Sequence, residues 1–140
     1  MTKKSLIITF AAALAASLLS FAGPAAAFSG GNLPACDAPR VLSHIQNRFV
    51  WTDRHVLKRG LAIETIDRVH SNRSHQSDQY WSIPRLYCHG TAYMNDGHKR
   101  QIWWLIEGGM GFVGLGNNLE FCISGLDPLK VHGAWCRSVR

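Results

Sequence analysis

The sequence predicts an α+β domain: one amphipathic helix packed on a four- to five-stranded antiparallel meander, pinned by two disulfides. Three observations carry that expectation. Apolar residues recur every three or four positions over one early segment. The rhythm then changes to strand-like runs joined by tight-turn signals. Finally, Cys36, Cys88, Cys122 and Cys136 make an even set spread along the chain.

Ahead of the domain, Lys3 and Lys4 give a positive start, and Leu6 to Ala22 is almost unbroken in apolar and small residues. Pro24 precedes Ala25-Ala26-Ala27, which fits the small-residue rule of signal peptidase. This is the layout of a secretory signal peptide over residues 1–27. A retained membrane anchor fits less well, because the run is rich in Ala rather than Leu and ends in a cleavage site. Cleavage leaves 113 of the 140 residues, enough for one modest core, and lowers the net charge from +6 to +4 as the two lysines go. The remaining excess is mostly arginine. It favours an anionic envelope component, or another protein, as partner. Nucleic acid is not expected, nor is a transmembrane segment after cleavage. Export to an oxidising compartment makes two disulfides the expectation for the four cysteines. A zinc site would want close C-x-x-C pairs, which are missing.

Residues 28–36 read as a short Gly/Pro/Ser-rich tether, and residues 37–140 as the single domain. Asp37 two residues before Pro39 suits a helix start. Leu42, Ile45, Phe49, Thr52 and Val56 then form one helical face of about five turns. Gly60 ends it, with Lys58 and Arg59 suited to the negative helix end. The opposite face carries Arg40, His44, Arg48, Trp51, His55 and Lys58. A tryptophan on a wet face needs cover or a ligand, so Arg48, Trp51 and His55 are candidate binding residues.

Leu61 to His70 reads as a first strand, with a bulge between Ile63 and Ile66. Ser71 to Gln79 is polar and irregular and reads as a mobile loop. Ile83 to Met94 and Lys99 to Glu107 are strands joined by the tight-turn signal Asn95-Asp96-Gly97. Leu119 to Ser124 is a further strand, Leu126-Asp127-Pro128 turns, and Val131 to Val139 reads as a last strand.

Between the third and fourth strands, Gly109-Met110-Gly111-Phe112-Val113-Gly114 matches the dinucleotide-binding G-x-G-x-x-G. That motif works only with a helix after it, whose N-terminus points at pyrophosphate. Leu115-Gly116-Asn117-Asn118 is a poor helix start, and a strand follows. The glycines therefore read as a connection between antiparallel strands, and no cofactor is expected. Met110 and Phe112, at the loop tip, are the second set of candidate contact residues.

A two-residue turn at Asp96-Gly97 sets Cys88 opposite Leu105. A symmetric glycine loop sets Trp103 opposite Cys122. Cys88 and Cys122 then share a face across an intervening strand, about 9 to 10 Å apart and too far for a disulfide. The preferred pairing is Cys36–Cys88 with Cys122–Cys136. Cys36–Cys122 with Cys88–Cys136 stays open.

Seven histidines raise a metal question, but His44 and His55 sit about 16 Å apart along a helix, and no metal site is assigned. Glu107 and Glu120 on adjacent strands carry the alternative function, a small hydrolase or a hydrolase inhibitor. The plainer reading pairs them with Arg100 or Lys99. Trp103 and Trp104 must face opposite ways. A far-side cluster with Tyr87, His89 and Phe121 reads as a second small core.

At MNDGHKRQIWWLIEGGMGF, LEFCISGLDP and the closing WCRSVR, the chain resembles a family of small exported proteins of alphaproteobacteria, over roughly Cys36 to Arg140. The resemblance implies a bacterial envelope setting and carries over no catalytic residues. The function expected is an exported, disulfide-stabilised periplasmic domain acting as a non-catalytic binding or envelope-associated module.

Overall fold

The computed structural model describes residues 33–80, 82–110 and 116–140. The signal-peptide reading and Phe112 lie outside them. Helix α1 spans Pro39–Thr52 and runs into a π-helical turn, Asp53–Leu57. Four strands follow: β1 Ile63–His75, β2 Arg85–Met94, β3 Lys99–Gly108 and β4 Asn117–Ile123. They form one antiparallel sheet in the order β1-β2-β3-β4. This is the α+β fold expected, with four strands.

The main core lies between α1 and one face of the sheet. Val41, Ile45 and Phe49 pack with Cys88, Ala92, Met94, Ile102, Trp104, Ile106 and Ile123. The buried stripe of the helix differs from the expected one. It runs Val41, Ile45, Phe49, Asp53, whereas Val56 is exposed. The cause is Asp53, a carboxylate whose burial hydropathy does not signal. Its Oδ2 accepts from the amides of Arg59 and Leu61, and its Oδ1 from Arg59 Nε at 2.8 Å. This clamp folds the chain tightly after the π turn. The left-handed terminator is Lys58 (φ 52°), two residues before the expected Gly60.

Strand β1 is longer than expected. Ser71 to His75 belong to it, paired with β2, instead of forming a loop. β1 is an edge strand with one side in water, so polar residues are tolerated once the apolar β2 supplies the ladder. Arg73 adds its guanidinium over the Tyr87 ring at 3.9 Å. The irregularity expected between Ile63 and Ile66 is present, as a register shift between Ile63 and Thr65.

The β2–β3 connection is a three-residue loop, Asn95-Asp96-Gly97. Gly97 N–H bonds Met94 O, and Met94 N–H bonds His98 O. Gly97 takes φ 80°, the left-handed position such a loop requires. The extra residue shifts the register by one, so Cys88 faces Trp104 and not Leu105. One step in register moves every side chain to the other face. Cys88 therefore joins the helix-side core, and Cys122, opposite Trp103 as expected, joins the far side.

The disulfides are Cys36–Cys88 and Cys122–Cys136. They staple opposite faces of the sheet. The far face carries a second, smaller core of Tyr87, Leu105, Cys122, Cys136 and Val139, with Trp103 packed on it. It is closed by a 3₁₀ segment, Ala134–Val139, where a strand was expected. Trp135 and Cys136 there have positive φ (59° and 58°), which no strand allows. Phe121 packs on the helix-side core, not in the far-side cluster. Trp104 is fully buried under the helix, and Trp103 faces away.

β4 runs antiparallel to β3 and begins at Asn117, so no helix follows the glycine-rich stretch and the dinucleotide geometry is excluded. Gly108 has a different reason to be glycine. A Cβ there would lie 2.7 Å from Pro84 Cγ and 3.2 Å from Leu33 Cδ2. The proline ring cannot yield, so Gly108→Ala is expected to cost about 1–3 kcal/mol, measurable as a lowered urea midpoint.

Candidate functional site

From Pro39 to Gly60 the only carboxylate is Asp53, and it is buried against Arg59. The exposed residues of that segment include Arg40, His44, Arg48, Arg54, His55 and Lys58. The helix thus presents cations to solvent with no anion among them. Trp51 stands in this surface, 60 % exposed. Among the described residues its ring contact is His55, stacked at 4.8 Å between centroids and 26° between planes. His55 Nδ1–H donates to the Trp51 carbonyl at 2.8 Å, which fixes the imidazole over the indole. The structure therefore brings Arg48, Trp51 and His55 onto one wet face, as the spacing requires.

Beside this face, the end of α1 and the π turn border a groove of about 360 Å³. Its other wall is β4 and the 126–132 turn. Arg48, Phe49, Phe121 and Leu126 are among the residues lining it. Val56, Leu129 and Val131 also line it and stay exposed at 58 %, 75 % and 71 %. Asp127 builds the outer wall by accepting the amides of Val131 and His132, each at 3.0 Å. Exposed apolar side chains therefore meet Arg48 and Arg59 at one end of the domain, with Glu120 and Asp127 also in the lining. Val56, Leu129 and Val131 were missed in the sequence. Val56 was placed in the core, and the other two in or beside a strand that does not form.

Of the second candidate set, only Met110 falls among the described residues. Met110 is 48 % exposed, and Phe112 lies outside the described residues. The carboxylates of the alternative function do share a face. Glu107 is held by Arg85 Nε at 2.8 Å, and Asn118 Nδ2 lies 3.4 Å from Glu107 and 3.5 Å from Glu120. Glu107 is thus committed to an ion pair between the two central strands, with Arg85 rather than with Arg100 or Lys99.

On the far face, His89 stacks on Trp103 at 5.0 Å, and Arg140 lies over the other partner of that stack, the Trp103 ring, at 5.2 Å. Burial holds the His89 imidazole below its usual range; Gln101 works against the shift, while His70 and Arg140 add to it. Among the described residues, no group of three or more His, Cys, Asp or Glu converges as a metal cluster. No helix among them is long and apolar enough to cross a membrane.

Fold and surface together define a small disulfide-bonded α+β domain with a cationic, tryptophan-bearing helix face. No family model, curated protein or solved structure matches the chain.

Proposed function

We propose that this chain is an exported, periplasmic binding module of the alphaproteobacterial type, without catalysis of its own, that docks on an anionic lipid surface. The observation that supports it is the exposed Trp51, set among Arg48, Arg54, His55 and Lys58 on the helix, with the exposed apolar side chains Val56, Leu129 and Val131 in the neighbouring groove. An indole with water on one side and apolar surface on the other suits the interface of a bilayer. Each basic side chain near an anionic leaflet contributes about 1 kcal/mol. The two disulfides fit the oxidising compartment that such a role requires.

The test is co-sedimentation of the oxidised, exported protein with vesicles. Binding is expected to vesicles containing phosphatidylglycerol, and little to pure phosphatidylcholine. Arg48→Glu is expected to weaken it by about tenfold, and 0.5 M salt to abolish most of it. Trp51→Ala weakens it further, while Trp51→Phe retains part. All these positions are exposed, so melting temperatures stay near that of the parent. Equal binding to both vesicle types, or indifference to Arg48→Glu and Trp51→Ala, contradicts the proposal.

A further inference from the structure

His70 and His89 are cross-strand partners in the β1–β2 ladder, on the sheet face away from the helix. A bulge makes them meet. The register slips between Asp67 and His70, and Arg68 takes φ 54°, with its amide held by Asp67 Oδ1 at 2.7 Å. A bulge of this kind re-aims a side chain. His70 Nε2 and His89 Nδ1 end 3.1 Å apart.

The outer nitrogens decide what lies between. His70 Nδ1 is 3.0 Å from the Arg68 carbonyl, which can only accept. The His70 proton therefore sits on Nδ1. His89 Nε2 faces Gln101 Oε1, also an acceptor, and with the Gln101 amide in this orientation the His89 proton sits on Nε2. Two neutral imidazoles bound in this way turn bare lone pairs toward each other. A proton shared between them, or a metal ion bound by both, removes that repulsion.

Ring geometry adds a second constraint. The ring centroids are 4.8 Å apart, at 90° between planes. A straight N–H···N bond at this nitrogen separation sets imidazole centroids about 5.5 Å apart. With each nitrogen about 1.2 Å from its ring centre, a symmetric pair converges on a point about 2 Å from both nitrogens, the length of a zinc–imidazole bond. The surroundings match as well. A metal-bound histidine usually gives its other N–H to a carbonyl, carboxylate or water, and here both do so to oxygen acceptors. Trp103, stacked on His89, holds that ring in place.

We propose that His70 Nε2 and His89 Nδ1 form a two-histidine site for a divalent transition metal of the zinc type, with its remaining positions open to water. Because it lies on the opposite face from the cationic helix, it is independent of the lipid-binding reading.

Zinc titration of the untagged, oxidised protein tests it, with nitrogen-15 NMR of the histidine side chains as readout. One equivalent of zinc is expected to shift His70 Nε2 and His89 Nδ1 and to be removed by EDTA. His70→Ala is expected to lower affinity at least tenfold, and Gln101→Ala by about 10- to 100-fold, with His55→Ala unchanged. Both altered side chains of the first two variants are exposed, so a preserved melting curve separates loss of ligand from loss of fold. The proposal is overturned if zinc affinity is the same in His70→Ala. It is equally overturned if the metal-free protein carries the His89 proton on Nδ1, donated to His70, and takes up no zinc.

Discussion

Replacing Cys36 and Cys88 together by alanine is expected to cost about 4 kcal/mol, and replacing Cys122 and Cys136 about 3 kcal/mol. The order follows from the chain each bridge closes, 52 residues against 14, because the longer loop loses more freedom when cross-linked. Both pairs are buried, so each alanine pair also leaves unfilled space in a core. A domain of this size has about 5–15 kcal/mol in total, so the first loss is a large share of the whole. The Cys36–Cys88 bridge also anchors the chain just before α1 to the centre of the sheet. Its loss is expected to free the helix that carries Trp51. Urea unfolding of the two double variants against the parent measures this. Equal midpoints for all three proteins, or a larger loss for the shorter loop, would show that loop closure does not govern the stability.

The two bridges also show how a correct pairing can follow from partly wrong geometry. Reading Asp96-Gly97 as a two-residue turn put Cys88 and Cys122 on one face and rejected their bond on distance. The actual loop has three residues, and the cysteines lie on opposite faces. Their bond is excluded more firmly, by the sheet itself. Turn composition announces a hairpin, but the choice between two and three loop residues depends on what the flanking strands meet. Here Asn95 decides it. Its side chain accepts from Ala62 N–H and donates to Gly60 O, tying the turn to the helix–β1 linker. Contacts 33 and 35 residues away leave no periodic trace in a sequence.

The same reasoning separates the legible part of the surface from the rest. Arg48, Trp51 and His55 could be placed on one wet face because a helix fixes spacing to direction. The apolar rim of Val56, Leu129 and Val131 could not, since Val56 fits the helical stripe that Asp53 occupies instead. The histidine pair was equally hidden. His70 and His89 are 19 residues apart, and the bulge at Arg68 that joins them is a backbone event.

Asp53 is where the fold and the surface are joined, and its replacement is the second large effect expected. Asp53→Ala removes the acceptor of two backbone amides and of the Arg59 guanidinium, and is expected to cost about 3 kcal/mol. Asp53→Asn is expected to cost less, because one oxygen remains while the new NH₂ opposes the amides it replaces. The pH dependence distinguishes charge from packing. Burial pushes the Asp53 carboxyl upward, but the Arg59 bond, the Leu61 amide and the Arg59 charge outweigh it and hold the group below its ordinary value of 3.8. A carboxylate whose folded pKa lies below the unfolded one stabilises fully above the unfolded value and loses that contribution as pH falls through the folded one. The stability gap between the parent and Asp53→Asn is therefore expected to be constant above about pH 5 and to shrink below about pH 4. Urea unfolding at a series of pH values measures it. A gap that stays constant down to pH 2 would mean that shape, not charge, holds the turn. Because the same clamp occupies the only carboxylate between Pro39 and Gly60, the segment itself offers Arg48, Arg54 and Lys58 no anion.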